Sequence, residues 1–309
     1  MLPSRCASVL RGVLCRHAGT FITPSSLHSS LSLAEKEGGK ENIRILDVRS
    51  PEQYSTAHIP TAANCHEIFT YLTTSDEPGV KKLVDTFTDS FQRAGINGEI
   101  GERVVTYENS LDSLYGASCR GMCLLQLLGH QNVSVLEGGL DRWIAEGYPT
   151  STDSDEVQRG SFKAKWSPNH VWADMHEVAE AIREQNAVLL DVRDIEEWTG
   201  ESSSPYGVSF TPQKGRLPGS VHILWRDFME KRSDGSCHFK APEVIREMCA
   251  QKGIRPEQNV IVYCFKGARA SNTLLALKEA GFKNIKNYFG SWNEWSRHPE
   301  LEIDSRLLN

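Results

Sequence analysis

A cysteine lies where a strand pattern gives way to a helix pattern, near the C-terminal end of this 309-residue chain. Val260 to Tyr263 reads Val-Ile-Val-Tyr, which predicts a buried strand. Cys264 follows it directly, and a helix pattern begins at Ala270. Open α/β sheets expose reactive groups at the carboxyl ends of their strands, and a helix N-terminus stabilises a thiolate there. We therefore expect Cys264 to be a nucleophile; a buried structural cysteine is the alternative.

The loop after Cys264 has the composition of an anion-binding loop. Lys266 and Arg269 are cations that would attract an anionic substrate. Gly267 has no Cβ and allows the backbone to curl close to the sulfur. The backbone amides of residues 265–270 could hold an anion, as similar loops hold phosphate. The loop residues that we expect to contact substrate are Phe265, Lys266, Gly267, Ala268 and Arg269.

Composition indicates a globular protein of two domains. The hydrophobic fraction is 39%, the charged fraction is 24%, and no run of apolar residues is long enough for a membrane helix. The net charge of -6 argues against nucleic acid as a partner. The eight cysteines are scattered, which favours a reducing compartment over a disulfide framework. No metal-ligand spacing is present, so we expect neither a metal nor another cofactor.

The first 34 residues contain no Asp or Glu, although they carry Arg5, Arg11 and Arg16 among many serines. A basic, serine-rich segment without acidic residues is typical of a mitochondrial transit peptide. We therefore expect residues 1–19 to be a targeting segment and the mitochondrial matrix to be the location of the protein. A basic tail with no targeting role is the alternative.

The remaining chain repeats one pattern twice. A short apolar strand ending in Asp-Val-Arg occurs at residues 43–49 and again at 187–193. The same strands and helices follow in the same order in both halves, and residues 151–165 between them are mostly polar. The pattern predicts an N-terminal domain over 20–150, a linker over 151–165 and a C-terminal domain over 166–309. Alternating strands and helices predict an α/β fold, with a mainly parallel sheet flanked by helices in each domain.

The repeat shows that the nucleophile is not duplicated. Tyr263-Cys264 in the second half aligns with Tyr107-Glu108 in the first half. We therefore expect one catalytic domain and one domain that shapes the site or adds stability.

These motifs together resemble the two-domain rhodanese family of sulfurtransferases, over residues 20–309. The motifs that carry the resemblance are Leu46–Arg49, His58–Pro60, Val133–Gly139 with Trp143, Asp191–Arg193, Leu217–Val221 and the Cys264 loop. The resemblance implies an active site between the domains, in which Cys264 takes a sulfur from thiosulfate as a persulfide. It passes that sulfur to cyanide or to a thiol such as glutathione or thioredoxin. It further implies a protein without a cofactor, which we expect to be a monomer.

Within the family, a lysine two positions after the cysteine accompanies thiosulfate as donor, so Lys266 favours thiosulfate over 3-mercaptopyruvate. The chain also departs from the family pattern. Glu197 stands where an arginine usually binds the donor, and an acidic residue there would repel a dianion. Arg269 could replace the missing charge, and Arg216 is a further candidate for substrate binding. Arg49 and Arg193 are better interpreted as structural residues.

Two other functions fit parts of the pattern. Cysteine phosphatases have five residues between Cys and Arg, whereas four separate Cys264 from Arg269 here, so the loop should be too tight for a phosphoryl group. A non-catalytic interaction module would explain Glu108 in the first half. The combination of Cys264, Lys266 and Arg269 argues against that function for the second half.

Overall fold

The computed structural model describes residues 19–36, 42–153, 157–168 and 171–306. These residues form two parallel five-stranded sheets, one in each half, and a two-stranded antiparallel hairpin. The strand order is β1-β5-β4-β2-β3 in the first sheet and β6-β12-β11-β7-β8 in the second. The second sheet thus repeats the order of the first, which confirms the predicted duplication of an α/β unit.

The elements of the first half are β1 (Phe21–Ile22), α1 (Pro24–Lys36), β2 (Ile43–Asp47), α2 (Pro51–Thr56), β3 (Ala63–Asn64), α3 (Glu67–Thr70), α4 (Glu77–Arg93), β4 (Arg103–Tyr107), α5 (Ala117–Leu127), β5 (Val133–Leu136) and α6 (Gly139–Ala145). The central strand β4 is buried along almost its whole length, as expected of a parallel strand that is covered on both faces.

The elements of the second half are β6 (Trp172–Ala173), α7 (Met175–Glu184), β7 (Val188–Asp191), α8 (Ile195–Thr199), β8 (Val221–His222), a 3₁₀ helix (Trp225–Phe228), β9 (Met229–Lys231), β10 (Cys237–Phe239), α9 (Pro242–Gln251), β11 (Val260–Tyr263), α10 (Ala268–Glu279), β12 (Ile285–Tyr288) and α11 (Ser291–Trp295). The hairpin β9–β10 has no counterpart among the described residues of the first half. The central strand β11 ends immediately before Cys264.

The repeated Asp-Val-Arg motif forms a buried ion pair in each half. Arg193 Nη2 lies 2.6 Å from Asp191 Oδ2 and donates a second hydrogen bond to the carbonyl of Gly215. Arg49 repeats this arrangement with Asp47 in the first half. Both guanidinium groups are therefore paired with a carboxylate and a carbonyl of the protein itself, although Nη1 of Arg193 has no hydrogen-bond partner among the described residues. This pairing agrees with the interpretation of Arg49 and Arg193 as structural residues.

The two halves share one hydrophobic core along helices α5 and α10. Buried side chains of both halves, such as Leu124 and Leu274, belong to a single continuous cluster. The helices approach closely where Gly116 meets Asn272, because a Cβ on Gly116 would lie 2.5 Å from the Cβ of Asn272. The contact brings the N-terminus of α5 to the N-terminus of α10, and with it the first half to the Cys264 loop.

The described part of the predicted linker lies against the first half. Gly160 N donates to the carbonyl of Gln92, Phe162 N to that of Ile96, and Lys165 N to that of Leu128. These bonds hold a polar segment that lacks helix or strand structure. The domain boundaries given above remain a prediction.

The predicted targeting segment, residues 1–19, lies outside the described residues except for Gly19. Among the described helices, none combines the length and apolar character needed to cross a bilayer. The six described cysteines are all buried and free of disulfide bonds.

Candidate active site

Cys264 lies between the end of β11 and the start of α10, and it is only 1% exposed. Its amide donates to Ser291 Oγ at 3.2 Å, and its carbonyl accepts from Trp292 N at 3.0 Å. Both partners begin helix α11, so the turn that follows β12 fixes the backbone of the cysteine. The sulfur is thus held at the N-terminal end of α10, where the partial positive charge of the helix stabilises an anion.

Gly267 shapes the loop around the sulfur. Its amide donates to Cys264 Sγ at 3.1 Å, which places one of the predicted loop amides on the reactive atom. The residue has φ of +84°, and a Cβ there would lie 3.1 Å from both Cα and O of Phe289. The carbonyl of Gly267 accepts from Asn287 Nδ2 at 3.0 Å and from Ser271 Oγ at 2.7 Å. Glycine is needed here because both the positive φ and the close approach exclude a side chain.

Lys266 extends its ammonium group between two aromatic rings. Nζ lies 3.8 Å from the ring centroid of Phe69, in the first half, and 4.9 Å from that of Tyr206, in the second half. The side chain is 5% exposed, and no carboxylate in the described part of the chain forms an ion pair with it. Burial, together with the charge of Arg120, lowers the pKa of Lys266 to about 7.

Arg269 is paired with the acidic residue that the sequence singled out. Its Nη1 lies 2.6 Å from Glu197 Oε2 and 3.0 Å from Asp194 Oδ2, and its Nη2 lies 3.0 Å from Glu197 Oε1. Burial by itself lowers the pKa of Arg269, but the charges of Glu197, Cys264 and Asp194 and the hydrogen bond to Glu197 together outweigh it and raise the pKa. The sequence predicted that an acidic residue at position 197 would repel a dianion; in the structure the Glu197 carboxylate is paired with Arg269. A donor-binding role for Arg269 remains a prediction, but the arginine offers little free positive charge.

Arg216 is held mainly by residues of the C-terminal segment, Asp304 and Arg306. Its guanidinium donates to the carbonyls of Trp198 and Arg306 and to the carboxylate of Asp304, and it stacks on the Trp198 ring at 4.7 Å. These contacts anchor the C-terminal segment to the second half. They leave the predicted role of Arg216 in substrate binding without support from its geometry, so that role stays a prediction.

The other two predicted loop residues are buried beside the cysteine. Phe265 accepts a hydrogen bond from Asn293 N at 2.9 Å through its carbonyl, and its ring packs against Tyr206 and Phe210. Ala268 is the first residue of α10 and is also buried. Both contribute backbone and shape to the loop.

Three aromatic residues that the sequence analysis did not select complete the site. Phe69 contacts Lys266, Tyr115 lies under the guanidinium of Arg269 at 5.4 Å, and Tyr206 covers both Phe265 and Lys266. Phe69 and Tyr115 come from the first half, which confirms that side chains of both domains meet at the cysteine loop. No periodic pattern points to them, because the short helix α3, which carries Phe69, and the turns that carry Tyr115 and Tyr206 are placed by contacts distant in sequence.

The equivalent loop of the first half holds a carboxyl group in place of a thiol. Glu108 is fully buried, and its oxygens accept hydrogen bonds from the amides of Leu114 and Ser118 and from the Ser118 hydroxyl. Burial outweighs these hydrogen bonds and raises the pKa of Glu108 to about 7. The loop therefore retains amides that point at an anion, but the anion is the protein's own side chain.

In the part of the chain that the structure describes, no group of three or more His, Cys, Asp or Glu residues is arranged to hold a metal ion.

Comparison with known proteins points to the same family that the sequence motifs resemble. The rhodanese-like domain matches twice, over residues 30–146 and 174–298. A thiosulfate sulfurtransferase of Azotobacter vinelandii is 27% identical over 92% of this chain and 96% of its own length. A putative thiosulfate sulfurtransferase of Haloferax volcanii is 35% identical, over 54% of this chain. The aligned part spans only 57% of the Haloferax protein.

A similar fold occurs in an anaerobic ergothioneine biosynthesis enzyme from Chlorobium limicola, solved with trimethyl histidine. That structure matches 94% of this chain and 71% of its own chain, with a TM-score of 0.74 and 20% sequence identity. At this identity the likeness concerns the fold alone. The two matches to the rhodanese-like domain cover most of the chain, and the chain therefore belongs to the rhodanese family.

Proposed function

We propose that the protein is a sulfurtransferase that carries a sulfur atom on Cys264. The thiolate attacks the outer sulfur of thiosulfate, a new S–S bond forms, and the S–S bond of the donor breaks as sulfite leaves with the electron pair. The observation that carries the proposal is the hydrogen bond from the Gly267 amide to Cys264 Sγ at 3.1 Å, at the N-terminus of α10. The same amide stabilises the anionic persulfide that results.

In the second step of the reaction, an acceptor attacks the outer sulfur of the persulfide, and the Cys264 thiolate leaves. With cyanide the product is thiocyanate, and with a thiolate it is a new persulfide. Glutathione and the dithiol of thioredoxin are acceptors of the second kind. Relatives named thiosulfate sulfurtransferase and sulfur carrier protein support a donor and an acceptor of sulfur. We further propose that the protein acts as a monomer, since two domains of one chain supply the site.

Thiosulfate is the donor that we favour, because Lys266 is a buried cation without a carboxylate partner among the described residues. A compact cation in a water-poor site attracts a dianion strongly. One observation favours 3-mercaptopyruvate as a second candidate: the pairing of Arg269 with Glu197 and Asp194 removes positive charge from the site. A monoanionic donor needs less compensating charge than thiosulfate does.

A comparison of the two donors tests the proposal. Sulfite release from thiosulfate and pyruvate release from 3-mercaptopyruvate are measured with cyanide as acceptor, on the wild type, Lys266→Ala and Arg269→Ala. We expect thiosulfate to be the better donor and Lys266→Ala to raise its KM. Unchanged thiosulfate turnover in Lys266→Ala would refute the donor assignment, and the absence of turnover with both donors would refute the proposed activity.

We also propose that the protein is located in the mitochondrial matrix. The support is the basic, serine-rich composition of residues 1–34, which contain no acidic residue. Fusion of residues 1–19 to a fluorescent protein tests the proposal: we expect the fusion to reach mitochondria and to be cleaved there. A fusion that stays diffuse in the cytosol would contradict it.

A further inference from the structure

Arg120 is a completely buried arginine of the first half, on helix α5. Among the described residues it donates no hydrogen bond to a carboxylate; its four side-chain hydrogen bonds go to neutral oxygens of one segment, residues 68–73. Nη1 donates to the carbonyls of Ile68 and Phe69, and Nη2 donates to the carbonyl of Tyr71 and to the hydroxyl of Thr73. Its Nε has no hydrogen-bond partner in the part of the chain that the structure describes. A planar guanidinium that spans several backbone oxygens fixes the path of that segment.

The segment that Arg120 holds supplies one wall of the active site. Its residue Phe69 is the ring that lies 3.8 Å from the ammonium group of Lys266. Arg120 therefore donates a hydrogen bond to the backbone carbonyl of Phe69, while the ring of Phe69 contacts Lys266. Phe69 also stacks on Tyr115, another wall residue, with ring centroids 6.3 Å apart.

We propose that Arg120 is a positioning residue for the sulfur donor: by clamping residues 68–73 it holds the Phe69 ring against Lys266, and so aims the ammonium group at the donor. The inference rests on the proposed function, since it concerns how that reaction binds thiosulfate. In this inference the domain that lacks the cysteine has a role in donor binding, because it positions Lys266. The reactive loop alone would not fix Lys266, whose long side chain has many rotamers.

Electrostatics supports the arrangement. Burial lowers the pKa of Arg120 to about 10, and a charge on Cys264 acts in the opposite direction. Arg120 remains charged at neutral pH, and its charge faces the site without a carboxylate partner in the described structure. A buried cation of this kind is stabilised when an anionic donor or persulfide occupies the loop.

Two variants test the clamp. Phe69→Leu removes the ring but keeps apolar bulk, and Arg120→Lys keeps the charge but loses the fork that spans the carbonyls. Phe91→Leu is the control: Phe91 is another ring of the first half, more deeply buried than Phe69, and it packs on Phe87 and Phe162. Each variant is made in the wild type and in Lys266→Ala, and KM and kcat for thiosulfate are measured together with Tm.

We expect Phe69→Leu and Arg120→Lys each to raise KM about tenfold, the size of a desolvated cation–π contact, with a much smaller change in kcat. In the Lys266→Ala background both substitutions should leave KM unchanged, because the residue they position is gone. Phe91→Leu should lower Tm without raising KM. If Arg120→Lys does not fold, Thr73→Val loosens the same segment and should raise KM in the same way.

Two results would overturn the inference. One is an unchanged KM in Phe69→Leu with the wild-type lysine present. The other is an equal rise in KM with and without Lys266, which would show that these residues act on the fold or contact the donor themselves. Wild-type turnover with thiosulfate is measured first, so that a failure of the proposed function is recognised separately from a failure of the clamp.

Discussion

The charge of Lys266 depends on how the two halves meet, because its ammonium group lies between a ring of each half. The sequence shows a lysine in an anion-binding loop, whereas the structure buries it between Phe69 and Tyr206 and within reach of the charge on Arg120. Removal from water and a nearby like charge both disfavour the ammonium form. The pKa of the group that we propose to bind the donor is therefore lowered to about 7.

We predict a loss of kcat/KM for thiosulfate as the pH rises through about 7, the pKa of Lys266. A lysine with a lowered pKa is an ammonium below that value and a neutral amine above it, while thiosulfate is a dianion on both sides. The kcat/KM profile reports groups of the free enzyme. In Lys266→Arg the cation persists, so this alkaline loss should disappear. An alkaline loss at the same pH in both proteins would contradict the assignment to Lys266.

The pairing of Arg269 with Glu197 explains how an acidic residue is accommodated beside a site for anions. Each partner alone would be a buried, uncompensated charge, and together they satisfy each other. Sequence comparison with the family reveals the acidic residue but not its partner, since the two are 72 positions apart.

We predict that Glu197→Gln lowers the free energy of unfolding by about 3–5 kcal/mol, because it leaves Arg269 with only the partly exposed Asp194 as its acidic partner. Arg269→Met should have a similar effect. The double variant should lose clearly less than the sum, as denaturant unfolding of all four proteins can show. Additive losses would mean that the two side chains do not depend on each other.

At the scale of elements, the turn from β11 to α10 brings the Gly267 amide to the sulfur of Cys264. The turn needs Gly267 for its positive φ and for its approach to Phe289. Strand, turn and helix were all predicted from the sequence, because a Val-Ile-Val-Tyr strand, a glycine and a helix pattern are local signals. The cover formed by Tyr206 was not predicted, since the segment around it has no periodic pattern.

We predict that Gly267→Ala costs about 1–3 kcal/mol of stability and at least tenfold in the rate of sulfur loading. The strained backbone and the clash with Phe289 should move the amide away from the sulfur. Gly281→Ala is the control: Gly281 follows the other end of α10 with φ of +89° and no heavy atom near its absent Cβ. Both variants should lose stability, and only Gly267→Ala should take up sulfur on Cys264 slowly. Equal loading rates would contradict the role given to the turn.

Buried Glu108 makes the stability of the protein depend on pH. Burial raises the pKa of Glu108 to about 7, so the folded state binds a proton more tightly than the unfolded state. Stability from this group is complete below the ordinary glutamate pKa and is lost as the pH rises to about 7. We expect a decrease on the order of 1–3 kcal/mol in the free energy of unfolding over that range.

Substitution by Glu108→Gln should flatten this part of the stability profile, measured by urea unfolding between pH 4.5 and 7.5. The exposed Glu99→Gln is the matched control, and it should leave the profile as in the wild type. A profile that stays equally steep in Glu108→Gln would assign the pH dependence to other groups.

At the scale of the whole molecule, the duplication divides the work between the halves. The second half supplies the sulfur and the loop, and the first half supplies Phe69, Tyr115 and the arginine behind them. The continuous core along α5 and α10 fixes the halves relative to each other. The site is thus complete only when both domains are folded and packed.

The fold and the duplication were predictable because they follow from repeated motifs and from local strand and helix patterns. The position of Cys264 at the end of β11 follows from the same patterns, and its role as nucleophile stays a prediction. The contributions of the first half were not predictable, because a residue such as Arg120 looks like any helix arginine until the helix is packed. The partners of Arg269 and Arg216 were missed for the same reason. Long-range packing decides which cations are free to bind substrate and which are already paired.

The most direct test of the account is the mass of the protein after exposure to thiosulfate. We predict a gain of one sulfur atom per chain, located on the peptide that contains Cys264 and lost as thiocyanate when cyanide is added. Cys264→Ser should gain nothing, although five other described cysteines remain. A wild-type protein that gains no sulfur, or one whose sulfur is found on another cysteine, would contradict the central claim.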